Sequence, residues 1–267
     1  MIKVIKQTDL KMLIELFKDI RRIDKDEIKN IYYNMNKNKI VVGNVEGERL
    51  TSLLIANIIN NDYYLEDFIF INNDINEVKD LLAYMKNVLY EDQRGLSIIY
   101  TNIPYSETMD TMLKNENFKC DYINFVNDNI NRIELIRNNV VINEVNDEVN
   151  AYMLDHYNAE YRVICECFGE IKKASDAIDA SRTNIAVAKN SQQKVIGVAR
   201  FGIVTDSVFI NCLYGDTDEV IVDLINLVKN LTNRKIEIGI YPVRDDLNRV
   251  LLENGFVKNH ADYIYKF

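Results

Sequence analysis

Ile98-Ile99-Tyr100-Thr101-Asn102-Ile103-Pro104 and Ile236-Glu237-Ile238-Gly239-Ile240-Tyr241-Pro242 end on the only two prolines of a 267-residue chain. Fourteen residues after each proline stands a phenylalanine, Phe118 or Phe256, preceded by Asn117 or Gly255. Met109 and Leu247, Met112 and Val250, Leu113 and Leu251, and Phe125 and Tyr263 keep one offset of 138 residues. Upstream, Asp80-Leu81-Leu82 and Lys86-Asn87 match Asp223-Leu224-Ile225 and Lys229-Asn230. Each copy is one supersecondary unit, so the chain reads as a duplication.

The length suits two domains able to bury their own cores. The polar stretch Asn127-Asp128-Asn129-Ile130-Asn131-Arg132 and the residues up to Asn139 read as the connector, giving domains 1–128 and 139–267. A hydrophobic content of 48% and a charged content of 27% are ordinary globular values. Charge interrupts every apolar run, so neither a signal peptide nor a membrane span is expected. A net charge of -9 argues against nucleic acid, whose binding draws on cationic side chains at phosphates. It suits a cationic small molecule. Cys120, Cys165, Cys167 and Cys212 lack paired zinc spacing and read as reduced thiols, which implies a cytoplasmic location. His156 and His260 are too few and too far apart for a metal site.

Apolar spacing predicts the elements. In the first half, strand Lys3 to Lys6 precedes a helix with Leu10, Leu13, Ile14 and Phe17 on its apolar face and a second helix around Ile28 to Met35. Strands Ile40 to Val45 and Leu50 to Ile59 form a hairpin across Gly47. Strand Tyr63 to Ile71, helix Ile75 to Tyr90, strand Leu96 to Ile103, a short helix and a strand ending at Phe125 follow. The second half replays this order from Val140, with helical material from Asp147 to Ala180 and a final strand from Asp262 to Phe267. Antiparallel strands followed by a strand-helix-strand crossover predict an α+β (mixed α/β) fold. The parallel pairs are Tyr63 to Ile71 with Leu96 to Ile103, and Val208 to Tyr214 with Ile236 to Tyr241.

This order, with the hairpin Ile185-Ala186-Val187-Ala188 to Val195-Ile196-Gly197-Val198-Ala199 and the segment Val250-Leu251-Leu252-Glu253-Asn254-Gly255-Phe256, resembles the GNAT family of acyl-CoA N-acyltransferases twice over. In the first half Ser52 replaces the hairpin glycine and Asn117 the glycine before the phenylalanine. The resemblance implies acetyl-CoA as co-substrate and a primary amine of a small molecule or peptide as acceptor. It also implies a pyrophosphate site at the loop before the helix, where backbone amides converge.

The corresponding loops are Ile71 to Val78 and Leu213 to Val220, and neither carries the family's glycine-rich motif. Both place carboxylates there: Asp74 and Glu77, and Asp216, Asp218 and Glu219. Cys212, Leu213, Tyr214, Gly215, Asp216 and Thr217 are the candidate cofactor segment, because Gly215 permits close backbone approach and Lys229, Arg234 and Lys235 lie nearby. The family's usual proton-donating tyrosine is Leu113 and Leu251 here, which leaves Tyr214, Tyr241 or solvent to protonate the thiolate. Glu66 and Asp67 are the candidate bases for the amine, and strand alternation lets only one of them face the site. The resemblance places Tyr152 to Tyr161, with His156, Tyr157 and Glu160, on the acceptor side, where its rings and carboxylate could hold an ammonium group. Two expectations follow: an acyltransferase with one active and one structural half, or a catalytically silent tandem acting as a binding or scaffold module.

Overall fold

The computed structural model describes residues 1–19, 33–35, 37–59, 62–70, 74–92, 98–128, 136, 139–142, 145–168, 184–203, 206–232 and 234–267. The chain folds as two compact units, Met1–Cys120 together with Asp262–Phe267, and Asp121–Ala261. Each is α+β, built on a mixed sheet.

In the first unit β1 (Ile2–Val4), β2 (Lys39–Glu46), β3 (Arg49–Ile59) and β4 (Asp62–Phe70) form an antiparallel ladder. Gly47 turns the β2–β3 hairpin at a φ of 62°, a conformation that costs glycine nothing. α1 (Leu10–Asp19) buries Leu13, Leu16 and Phe17 against Val41, Leu53 and Ile55. β4 then pairs in parallel with β5 (Ile98–Pro104), through Tyr63 with Ile99, Tyr64 with Tyr100 and Leu65 with Thr101. The crossover is α2 (Ile75–Asp92), whose buried stripe of Val78, Leu81, Leu82, Met85 and Leu89 has the spacing read from the sequence. α3 (Glu107–Asn115) follows, capped by Ser106, whose side chain accepts from the Met109 N–H at 3.2 Å.

The second unit repeats the plan. β7 (Asn139–Ile142), β8 (Asn184–Lys189), β9 (Val195–Ile203) and β10 (Ser207–Gly215) are antiparallel. β10 pairs in parallel with β11 (Lys235–Ile240) from Ser207 with Lys235 to Ile210 with Ile238. α4 (Asp147–Phe168) covers one sheet face through Val149 and Met153, which pack on Ile185, Val187 and Val198. α5 (Asp218–Thr232) is the crossover, and α6 (Asp245–Glu253) matches α3. Both expected parallel pairs are present. The first half's expected second helix and residues 169–180 of the second half's helical stretch fall largely outside the described residues.

The repeat signature has a local cause. α3 and α6 end in the same cap: the Phe118 N–H donates to the Leu113 carbonyl at 2.9 Å, and the Phe256 N–H to the Leu251 carbonyl at 3.0 Å. This six-to-one bond needs a left-handed residue before the phenylalanine, and Asn117 at φ 66° and Gly255 at φ 78° supply it. The leucine and phenylalanine that flank the cap are buried in both units.

One arrangement departs from the linear halves 1–128 and 139–267. β6 (Lys119–Asn127), the last strand of the first copy, pairs antiparallel with β11 in the second unit, Phe125 opposite Ile238. The Asp262–Phe267 end of β12 (Val257–Lys266) belongs to the first unit, next to β5. There Tyr265 packs on Phe118 at 5.1 Å between ring centres, and the buried Tyr263 donates to Asp110 Oδ1 at 2.9 Å. The two strands are copies with the same alternation, so either one completes the ladder of either copy.

Candidate functional site

In the first unit the parallel ladder stops at Leu65 and Thr101. Just there β4 is bulged: Ala56 faces Leu65 and Ile55 faces Asp67, so Glu66 is the extra residue. Glu66 and Asp67 thus stand where the strands begin to part, and their side chains lie outside the described residues. Next to the first turn of α2, a cleft of about 460 Å³ is lined by Ile75, Asn76 and Lys79 of α2 and by Glu107, Thr108, Thr111, Met112 and Asn115 of α3. Lys79 is mostly exposed and lies 3.8 Å from Glu116.

The start of α2 is partly supplied with negative charge by the chain itself. Asp74 accepts the Asn76 N–H at 2.9 Å. Glu77 Oε1 accepts from Ser52 Oγ at 2.6 Å, Asn44 Nδ2 at 2.8 Å and Thr51 Oγ1 at 2.9 Å. Burial alone raises the Glu77 pKa, but the bonds from Ser52, Asn44 and Thr51 outweigh it and hold the carboxyl below its ordinary value. Glu77 is therefore a fixed anion beside a helix N-terminus, directed toward β2 and β3.

In the second unit β10 and β11 separate after Ile210 and Ile238, next to an irregularity between Ile210 and Cys212. The candidate cofactor segment lies beyond this point and is filled by the chain's own groups. Leu213 is buried core. Gly215 abuts α5: a Cβ there meets Ile221 Cγ1 at 2.9 Å and the Ile221 amide nitrogen at 3.2 Å. The absent side chain admits the first turns of α5. The Asp216 N–H donates to the Ile196 carbonyl at 2.9 Å, and its carboxylate accepts from Tyr152 Oη at 2.8 Å. Thr217 caps α5, its Oγ1 accepting the Val220 N–H at 3.4 Å.

Tyr214 and Cys212 face α4. Tyr214 Oη donates to Glu160 Oε2 at 2.6 Å, and Arg244 Nη1 lies 3.8 Å from Glu160 Oε1. The Arg244 guanidinium also sits 5.4 Å from the Tyr214 ring centre. An internal cation thus stands beside the carboxylate and rings that the sequence offered to an ammonium group. Burial, and then the Glu160 charge, push the Tyr214 phenol far above its ordinary range, so it keeps its proton and aims it at Glu160. Burial pushes Tyr241 up to about 12, with Asp121 adding to the effect. Burial likewise pushes the Cys212 thiol up to about 12, which makes it a poor nucleophile. The His156 ring lies tilted against Tyr152 and Tyr214, at 4.1 and 5.3 Å between ring centres, and its Nδ1 donates to the Tyr152 carbonyl at 2.9 Å.

The structure therefore joins Tyr214 to Glu160 and His156 and gives each of Gly215, Asp216 and Thr217 a packing or capping contact. Sequence reasoning missed Arg244 and Arg200. A signal for Arg200 existed: it interrupts the apolar run Val195-Ile196-Gly197-Val198-Ala199 before Phe201. Among the described residues no three His, Cys, Asp or Glu side chains form a metal-binding group, and no helix is long and apolar enough to cross a membrane.

No family model and no curated protein matches this sequence. Solved structures do. The chain is similar to the GCN5-related N-acetyltransferase from Sphaerobacter thermophilus, with 6% identity, 100% of this chain and 95% of that chain covered, and a TM-score of 0.45. It is similar to a tandem GNAT protein from the clavulanic acid biosynthesis pathway, with 7% identity, 100% and 98% covered, and a TM-score of 0.41. It is also similar to a conserved protein of unknown function from Enterococcus faecalis, described as a probable N-acyltransferase, with 11% identity, 100% and 72% covered, and a TM-score of 0.41. The likeness is one of fold.

Proposed function

We propose that the chain is an acyl-CoA-dependent N-acyltransferase that moves an acetyl group from acetyl-CoA to a primary amine of a small molecule or peptide. The first unit is the transferring half and the second the structural one. The observation that carries this is the cleft of about 460 Å³ beside the first turn of α2, in the unit whose β4 bulge sets Glu66 at the parting strands. The volume falls in the range of small-molecule sites. Its lining fits a long, amide-bearing anionic chain: Ile75 and Met112 offer apolar contact, Asn76, Thr108, Thr111 and Asn115 offer hydrogen bonds, and Lys79 offers charge for phosphate.

Acyl-CoA, when bound, supplies the activated thioester. Glu66 or Asp67 takes a proton from the acceptor ammonium, directly or through water, and frees the nitrogen lone pair for attack on the carbonyl carbon. Leu113 and Leu251 are buried and carry no proton. Tyr214 directs its hydroxyl at Glu160, so solvent protonates the departing thiolate.

A second reading, a silent binding module, is favoured by the carboxylates that occupy both helix starts, Glu77 with its three donors and Asp216 with Tyr152. Acetyl-CoA separates the two. On the first reading it raises the melting temperature of the full chain, as a ligand of the folded state must, and Lys79→Glu together with Thr111→Arg abolishes the rise. If acetyl-CoA leaves the wild-type melting temperature unmoved, the silent reading stands.

A further inference from the structure

The second unit contains a buried cation that acyl transfer leaves unused. Arg200 stands on β9 between β8 and β10 and is 6% exposed. Its Nε is buried without a hydrogen-bond partner, and no hydrogen bond or ion pair reaches its side chain among the described residues. A buried charge without a partner is strongly unfavourable, far beyond what an apolar residue of the same size would cost there. Such a group persists where a counter-charge arrives from outside the chain.

The ladder fixes where Arg200 points. It is paired with Cys212 on β10 and with Ile185 on β8, and cross-strand partners project from one sheet face. That face carries Ile185, Val198 and the half-buried Cys212 against Val149 and Met153 of α4. Two residues along β10 on the same face is Tyr214, in ring contact with His156. The nearby charged groups are already matched to each other. Glu160 accepts from Tyr214 and faces Arg244, and Arg244 Nε also reaches Asp246 at 3.3 Å. Arg200 is the unmatched member of the cluster among the described residues.

We propose that this face of the second unit binds a small monoanionic carboxylate, its carboxylate paired with the Arg200 guanidinium and its flat apolar part lying along the Tyr214 and His156 rings. A guanidinium fork matches a carboxylate in two parallel hydrogen bonds. The Glu160 carboxylate stands 2.6 Å from the Tyr214 hydroxyl, at the end of the ring along which the ligand lies, so a second negative charge there is repelled. The second unit then senses or holds a ligand of its own, independently of any transfer in the first.

Benzoate is the probe, titrated into the full chain while thermal unfolding is followed by circular dichroism, with acetate and inorganic phosphate as comparators. Benzoate raises the melting temperature saturably, acetate does so only at higher concentration, and phosphate does not. In Arg200→Met the benzoate shift is lost while the ligand-free melting temperature is equal to or above that of wild type, because a flexible apolar side chain replaces an unmatched charge. Arg200→Lys keeps the charge but not the fork and shows a reduced shift. The proposal is overturned by the absence of a saturable benzoate shift in wild type, by an undiminished shift in either variant, or by stronger stabilisation from phosphate than from benzoate. None of these outcomes depends on acetyl-CoA.

Discussion

Exchanging one polar pair for its apolar counterpart tests how the two copies diverged. Helix α2 aligns with α5 at Asp80 and Asp223, which sets Glu77 in the place of Val220. Ser52 faces Phe70 across its ladder as Gly197 faces Gly215 across the other. In the second unit Val220 Cγ1 occupies the place where a Gly197 Cβ would stand, so a valine methyl fills the space above a glycine. In the first, Ser52 donates to Glu77 at 2.6 Å instead. Glu77→Val alone strips the fully buried Ser52 of its acceptor, and an orphaned buried donor costs about 1 to 3 kcal/mol. Ser52→Gly alone removes one charge-assisted bond, about 1.5 to 3 kcal/mol, and places glycine inside a strand, about 0.5 to 1 kcal/mol. The double variant leaves no unpaired Ser52 hydroxyl and rebuilds the valine-over-glycine packing of the other unit, while the loss of the Glu77 acceptor for Asn44 and Thr51 is common to it and to Glu77→Val. It is less destabilised than the sum of the single variants by about 2 kcal/mol, within the range seen for residues in contact. Urea unfolding followed by tyrosine fluorescence measures this cycle, since the chain has 16 tyrosines and no tryptophan. Additivity of the two substitutions to within about 0.5 kcal/mol would refute the coupling.

Three further outcomes are expected. The Glu77 carboxyl is held below its ordinary value of 4.5, so its contribution to stability is complete above that pH and is lost as pH falls through the folded value. The urea midpoint of wild type accordingly drops more steeply on acidification than that of Glu77→Gln, and parallel pH profiles would contradict this. Gly215→Val forces a side chain into Ile221 and lowers stability by about 1 to 3 kcal/mol without any ligand present, so an unchanged melting temperature would show that α5 is not seated on Gly215. Phe256→Ala empties the site behind the α6 cap and costs about 3 to 5 kcal/mol, read as a lower urea midpoint.

The sequence alone determined the duplication, the order of elements and both parallel pairs, because these are local properties of the chain. Apolar spacing chose helix or strand, Gly47 marked a hairpin, and the Leu113-to-Phe118 and Leu251-to-Phe256 spacings encode a helix cap closed within six residues. Tertiary structure decided what distance in sequence hides. β6 and β12 are copies of each other, so the same pattern that disclosed the repeat left open which unit each strand completes. Glu77 read as a helix-start acid, and only folding brought Asn44, Thr51 and Ser52 to its oxygen from 33, 26 and 25 residues away. That Gly215 also seats the start of α5 was visible only once the helix was packed against it. Glu160 was visible as one acid among tyrosines, but its Arg244 partner, and the unpaired Arg200 Nε among the described residues, arise where strands and a helix far apart in the chain converge. Pairing and burial of charge are set by that convergence, and no periodicity in the sequence records it.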